Sequence, residues 1–478
     1  MATPIRETFT FDDVLLVPRR SAVFSRKDVA TRAQFSRTIT LNIPLVAANM
    51  DTVTESRMAR FMAETGGIGI IHRFLPIDQQ AEEVRKVKRA ENVVIEDPYV
   101  IGPKQVVADA ERIMRERGVS GLPVIDDAKR IVGIITRRDT LFTQNKQTPI
   151  ARAMTKRVIT APRRVAQKTA RDILFTHRIE KLPLVDQKGK LRGLITLKDV
   201  LRQGVPSTAS KDRRGRLLVG AAVGVKEETN SRARALLEAG VDVLVIDIAH
   251  GHNTRAIETI KKLKRAFRGV EIVGGNVATL PGALDLMKAG VDAVKVGVGP
   301  GAACITRVVT GVGVPQLSAL LDIFATAQKH KIPIIADGGI RNSGDLAKAL
   351  AAGGSTAMIG SLLAGTDEAP GEYIIEDGAG YKLYRGMASR DAAEEKSRLD
   401  GSLLSSGSED KTYRAPEGKS GKVPYRGRAQ LVIDDLVSGL RSSMSYLGAK
   451  NLTEFQKNAE FVRISPASLR ESYSHDMK

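Results

Sequence analysis

The single cysteine among 478 residues, Cys304, stands in Gly297-Val298-Gly299-Pro300-Gly301-Ala302-Ala303-Cys304-Ile305-Thr306-Arg307, a glycine-rich loop directly after an apolar, strand-like run. The thiolate is the attacking form of cysteine. Loop amides and Arg307 would favour it, while glycines let the backbone turn through positive φ and let a ligand come close. Taken alone, the residue also fits a small buried hydrophobe. Further chemistry-bearing side chains close other apolar runs: Asn49, Asp51, His72, Asp247, Asn276, Asp337 and Ser361. His250 and His252 form a His-Gly-His triplet, but no cysteine or carboxylate stands at a spacing that completes a zinc site.

The runs themselves must position these residues. There are eight, at 43–50, 67–72, 217–224, 243–250, 271–277, 293–299, 333–339 and 357–361, most of them separated by amphipathic segments of helical period. Near-continuous apolar strands alternating with helices predict a parallel sheet covered by helices. Eight such units predict a closed (β/α)8 TIM barrel, whose chemistry gathers at the C-terminal ends of the strands. An open doubly wound sheet is the competing fold, and no GxGxxG follows the first strand to support it.

Composition narrows the function classes. One cysteine allows no internal disulfide and points to a reducing compartment. No signal peptide is read at the start, and no apolar stretch approaches the roughly 18 residues a membrane span needs, so a soluble cytoplasmic protein is expected. The formal charge of +20 is spread along the chain, aromatic residues are 4% and tryptophan is absent, which argues against specific nucleic-acid binding.

Between the second and third runs, residues 92–205 carry an internal repeat, about 92–150 and 151–205, flanked by barrel segments 1–91 and 206–478. Pro123, Gly133, Thr136 and Asp139 align with Pro183, Gly193, Thr196 and Asp199 at an offset of 60 residues. The repeat resembles a tandem pair of CBS (cystathionine β-synthase) domains. That likeness implies purine nucleotides, ATP or GTP, at Thr136 with Asp139 and at Thr196 with Asp199. A purely structural insert is the alternative.

A barrel interrupted after its second unit by such a pair, with one cysteine in GVGPGAACITRVVTGVGVPQ, resembles the IMP dehydrogenase and GMP reductase family. The resemblance runs from FTFDDVLLVPRRS to FVRISPASLRES. It implies that Cys304 is the covalent nucleophile toward the purine 2-carbon, and that backbone carbonyls of Gly299, Gly301, Cys304 and Arg307 hold potassium. It further implies nucleotide contacts at Asp337, Gly338, Gly339, Gly360, Ser361, Tyr384, Gly386, Met387, Ala388, Tyr413, Arg414 and Gly418, with Ser389 beside them. The resemblance implies that Asp337 grips the ribose; barrel packing is the alternative for each of these residues, though a charge at a strand end has little structural reason to exist. Homotetramers, or octamers joined through the CBS pairs, are implied as well.

Which reaction the chain runs depends on the fate of the adduct. The dehydrogenase activates water with an Arg-Tyr pair, and the corresponding stretch here offers Arg398 followed by Leu399. Downstream, Tyr413-Arg414-Ala415-Pro416-Glu417-Gly418-Lys419 resembles the reductase's YRASEGK. Ala48-Asn49-Met50-Asp51, Asp247-Ile248-Ala249 and Phe24-Ser25-Arg26-Lys27 also resemble reductase segments. The reading is therefore an NADPH-dependent GMP reductase in which Thr306, hydrogen-bonded to Glu417, relays the proton to departing ammonia. Ser25, Arg26, Arg73, Asp247, Ala249, Asn276, Gly297 and Gly299 are expected to line the cofactor. Ser25 and Arg26 read equally as a solvated loop, and Arg441 to Tyr446 resembles a family segment near the purine, with a helix terminus as the alternative. Three departures count against the reading: Ala302 replaces a serine that touches phosphate, Arg73 a lysine, and many reductases lack CBS domains. The alternatives are an IMP dehydrogenase, forming XMP from IMP and NAD, and a non-catalytic nucleotide sensor.

Overall fold

The protein is described by a computed structural model covering residues 5–90, 95, 98–197, 200, 208–399 and 415–473. Eight strands close into a parallel barrel: β1 (Leu45–Ala47), β2 (Ile68–Ile71), β3 (Gly220–Val223), β4 (Val243–Ile246), β5 (Glu271–Val277), β6 (Ala293–Val296), β7 (Ile334–Asp337) and β8 (Thr356–Ile359). Each pairs with its sequence neighbours. Gly220 stands opposite Ile70 across the interruption, and Ala357 opposite Leu45 completes the ring. The barrel expectation holds, and the doubly wound alternative falls.

Alternation makes both faces of these strands apolar. On β4, Val243 and Val245 point to the barrel interior, whereas Leu244 and Ile246 point to the surrounding helices. The helical layer comprises α1 (Ser56–Glu64), α2 (Ile77–Arg89), α3 (Thr229–Ala239), α4 (Thr254–Ala266), α5 (Leu280–Ala289), α6 (Gln316–His330), α7 (Ser343–Ala351) and α8 (Ala429–Tyr446). Asn253, Thr279 and Asn342 cap the starts of α4, α5 and α7 with their side chains. Left-handed Gly240 and Gly290 end α3 and α5.

Chain contacts divide the molecule into residues 1–90 with 208–478, and residues 91–207, within two positions of the limits read from the repeat. The inserted unit holds two separate small cores. Leu122, Val124 and Ile135 anchor one and Leu182, Leu184 and Ile195 the other, the same three positions shifted by one repeat. Each core covers one antiparallel strand pair, Gly121–Ile125 with Ile131–Thr136 and Lys181–Val185 with Leu191–Thr196. Where the barrel chain is interrupted, the buried Lys88 at the end of α2 donates to Asp242 at 2.6 Å and to Asp212 at 3.1 Å, fastening the returning segment.

Among the described residues no helix is long and apolar enough to cross a membrane.

Candidate active site

Strand alternation decides which side chains reach the barrel mouth. Val294 and Val296 face the helices, so Lys295 between them faces inward, 3% exposed. Register sets Lys295 beside Gly275 on β5, one residue before Asn276, and beside Ile335 on β7, two residues before Asp337. Its ammonium donates to Asp337 Oδ2 at 2.7 Å and to Asn276 Oδ1. Asn276 Nδ2 donates in turn to Asp337 Oδ2 and to the Gly297 carbonyl, both at 2.8 Å. This corrects the expectation that Asp337 lacks a structural reason: it neutralises a buried lysine. The second oxygen of Asp337 has no protein partner among the described residues and remains available to a ligand. Sequence reading missed Lys295, although a lysine within AVKV was the signal.

The Cys304 loop follows β6 and lies against the end of β7. A Cβ on Gly297 would stand 2.0 Å from the Asp337 carbonyl, so only glycine allows this approach. Gly299, at φ +89°, turns the chain over Arg307, whose Nε donates to the Val298 carbonyl at 3.2 Å and whose Nη2 donates to that of Val314 at 2.6 Å. Burial lowers the pKa of this guanidinium and the nearby Cys304 opposes the shift. Cys304 itself is half-buried, and its thiol donates to Thr306 Oγ1 at 3.1 Å.

A second layer closes over the loop. Tyr373–Glu376, Ala379–Arg385 and Ser420–Pro424 form an antiparallel sheet after β8, and the chain leaving it at Gly386 is laced to the Cys304 loop. Gly386 N–H donates to the Lys419 carbonyl at 3.0 Å, Lys419 N–H to Ala303 at 2.9 Å, Glu417 N–H to Ala388 at 3.2 Å and Ile305 N–H to Glu417 at 2.9 Å. Glu417 thus meets the cysteine loop through its backbone. The expected side-chain bond between Thr306 and Glu417 does not form among the described residues; the Thr306 hydroxyl accepts from the Cys304 thiol. Gly418 stands opposite Cys304 in an isolated antiparallel bridge.

Tyr384 is buried beneath Gly386, its hydroxyl donating to Met50 Sδ at 3.7 Å. Burial raises its phenol well above the ordinary range, reinforced by the charges of Asp337 and Cys304, which share the same mouth. Gly338 and Gly339 follow β7 at φ +92° and +83°. Gly360 and Ser361 open the short helix Ser361–Ala364, whose first N–H groups have no intrahelical acceptor.

On the other side of the mouth, Arg73 Nε donates to Asp247 Oδ2 at 2.9 Å, pairing two residues expected at the cofactor, while Ala249 beyond them is exposed. His252 bonds Asp285 at 3.0 Å, and no cluster of metal-binding side chains occurs among the described residues. Ser25 accepts from Lys27 N–H and caps a short turn carrying the exposed Arg26, with no hydrogen bond to the mouth among the described residues. Arg441 to Tyr446 forms the end of α8, the helix-terminus reading. In the insert, Thr136 donates both its hydroxyl (2.7 Å) and its N–H (2.8 Å) to Asp139, a capping box at the start of the helix Arg137–Phe142. Buried Lys181 of the second repeat donates to Ser120 at 2.9 Å; burial lowers its pKa, opposed chiefly by Glu180 and also by Asp139. Thr196 ends the matching strand. Asp199, Tyr413 and Arg414 lie outside the described residues.

A half-buried cysteine on a β6 loop, an aspartate ending β7 and amides after β8 converge at one barrel mouth. Residues 8–475 match the family described as the IMP dehydrogenase / GMP reductase domain. The chain belongs to that family. It is 52% identical over 473 residues to the inosine-5'-monophosphate dehydrogenase of Nitrosopumilus maritimus, covering 99% of each chain. The corresponding protein of Aquifex aeolicus is 51% identical, with 99% of this chain and 96% of the relative covered. Among solved structures, a cysteine-to-alanine variant of GMP reductase from Trypanosoma brucei in complex with guanosine 5'-monophosphate superposes with a TM-score of 0.91 at 44% identity, covering 99% of both chains. The GMP reductase of the same organism in complex with guanosine 5'-triphosphate matches at 40% identity with a TM-score of 0.79, covering 96% of this chain and 98% of the other. The chain is thus an oxidoreductase of purine nucleotide metabolism, in a family that uses a nicotinamide cofactor.

Proposed function

We propose that this family member is a GMP reductase, converting GMP to IMP and ammonia through a thioimidate on Cys304. The thiolate adds to the purine 2-carbon and the 2-amino group leaves as ammonia. Bound NADPH supplies the hydride, after which the C–S bond breaks and the thiolate is regenerated. Thr306, 3.1 Å from Cys304, and Glu417 would form the proton relay: the hydroxyl would accept the thiol proton only as it gives up its own, and the relay would deliver the proton that the departing amine requires. The free oxygen of Asp337 suits a ribose hydroxyl, and the amides of Gly339, Gly360 and Ser361 suit the phosphate.

The observation that carries the choice is Arg398. The dehydrogenase's water activator resembles an Arg-Tyr pair, but Arg398 precedes Leu399 and is committed to Glu395 at 2.6 Å on an exposed helix. With no water activator there, reduction is the favoured fate of the adduct. A second reading has its own support. The curated relatives at 52% and 51% identity are named IMP dehydrogenases, and those values exceed the 44% shared with the reductase structure. Crossing GMP and IMP with NADPH and NAD separates the two: loss of reduced-nicotinamide absorbance with GMP supports the reductase, and XMP from IMP and NAD replaces it with the dehydrogenase. No turnover, and no adduct of Cys304 with a 2-halogenated purine nucleotide, would leave the nucleotide sensor.

Around this core, Arg73, Asp247, Ala249, Asn276 and Gly297 would hold the cofactor's nicotinamide side, with Ser25 and Arg26 of a neighbouring copy at the extra phosphate. Potassium would sit on the carbonyls of Gly299, Gly301, Cys304 and Arg307. The donors fit: among the described residues the Gly299 and Cys304 carbonyls accept no N–H, and those of Gly301 and Arg307 accept one each. The insert is proposed as a CBS pair binding ATP or GTP, on the strength of its internal repeat with Thr136 and Thr196 at equivalent strand ends. A cytoplasmic homotetramer, or an octamer joined through the insert, completes the proposal.

A further inference from the structure

The segment 384–389 has two sides, and only one faces the nucleophile. On that side it is bonded to the Cys304 loop through Lys419 and Glu417. On the other it is fastened to the rim beyond β1. Arg385 Nε and Nη2 both donate to Asp51 Oδ2, at 2.8 and 2.7 Å, from side chains that are 15% and 7% exposed. Arg385 N–H reaches Thr52 Oγ1 at 3.3 Å, Asp51 N–H reaches Met387 Sδ at 3.4 Å, and Tyr384 reaches Met50. Asp51 Oδ1 is shut off from solvent and has no hydrogen-bond partner among the described residues.

An ion pair serving stability alone would use the guanidinium fork against both carboxylate oxygens. Here one buried oxygen is left unsatisfied, a cost that structures tolerate chiefly at functional sites. Arg385 also directly precedes Gly386, Met387 and Ala388. Those are residues that the family resemblance implies as nucleotide contacts, matching the segment that meets the purine.

We propose that Asp51 and Arg385 are positioning residues: their buried pair sets where Gly386 to Ala388 present the purine base to Cys304. The inference rests on nucleotide binding at this mouth, not on which of the two reactions follows. The arginine acts through its fork, which lysine cannot reproduce, and through its charge, which lysine retains.

The test uses Asp51→Asn, Arg385→Met and Arg385→Lys in the full chain, with two measurements. One is kcat and KM for whichever nucleotide the wild type turns over. The other needs no turnover: the concentration of GMP or IMP that half-protects Cys304 from iodoacetamide, followed by mass spectrometry. Asp51→Asn and Arg385→Met are expected to raise KM and the protecting concentration tenfold or more. The alkylation rate without nucleotide should stay within twofold of wild type, and Arg385→Lys should recover part of the loss. If protection is unchanged while only the melting temperature falls, the pair is structural and the inference is overturned. Failure of wild-type nucleotides to protect overturns it too. If nucleotides protect but neither reaction proceeds, the functional reading falls while the positioning role is still decided by the protection data. Altered alkylation in the absence of nucleotide would place the effect on the thiol instead and refute the assignment.

Discussion

An alanine at Gly299 probes how tightly the nucleophile loop is set. The residue has φ +89°, and a Cβ in that region costs about 1–2 kcal/mol. The added carbon would stand 2.5 Å from Arg307 Cγ and 2.6 Å from Nε. Carbon atoms pack at about 3.5–4.0 Å, so about 1 Å must be found. Arg307 cannot supply it by swinging away. A Cβ on Gly313 would meet the same atoms at 2.6 and 2.7 Å, so backbone crowds both sides, and the guanidinium is held at 3.2 and 2.6 Å by two carbonyls. The loop bearing Cys304 must therefore move. A displacement of about 1 Å in a reacting group costs on the order of 10²-fold, so Gly299→Ala is expected to lower kcat/KM by about that factor, about 2.7 kcal/mol. Arg307→Ala removes the obstacle and loses two hydrogen bonds of its own. The double variant should recover the steric part, giving non-additivity of about 1–3 kcal/mol and leaving only the cost of the positive φ. The assay is kcat/KM for the three variants beside wild type. Gly299→Ala with half the wild-type activity, or strict additivity, would refute the reasoning.

Two further outcomes follow from the same geometry. Lys295→Met leaves Asp337 with Asn276 alone; stranding a buried partner costs about 3–5 kcal/mol, and the exposed edge of Asp337 reduces this to about 2 kcal/mol, read as a melting temperature about 2–3 °C lower for a folding unit of this size. A shift below about 1 °C would show that the lysine carries no such load. Tyr384 supplies a pH dependence. Its buried phenol keeps its proton at pH values where the unfolded chain releases it, so stability falls as pH rises beyond about 10, and Tyr384→Phe should flatten that limb of a melting-temperature profile.

The legible part of the protein is the part encoded locally. Eight apolar runs, each long enough for one strand and spaced for one helix, dictate a barrel because a strand apolar on both faces must be covered on both. The repeat in residues 92–205 is equally local, since the same core positions recur at one offset. Cys304 announces itself by its loop. The sequence also places Asn276 and Asp337 at strand ends, because position along a run is a one-dimensional property.

What only the tertiary structure decided is partnership. Nothing in the chain pairs Asp51 with Arg385, 334 positions apart, or turns Asp337 from an isolated charge into the counter-ion of Lys295. Those pairings arise from register between strands and from the way the sheet after β8 folds back over the mouth. The expected bond between Thr306 and Glu417 is absent among the described residues for the same reason: adjacency of backbones does not fix where side chains point, and the Thr306 hydroxyl lies against the Cys304 thiol. Sequence pattern determined which elements form and which residues stand at their ends, because burial acts on each segment by itself. The close packing of distant segments decided which charges neutralise one another and how the nucleophile's loop is braced.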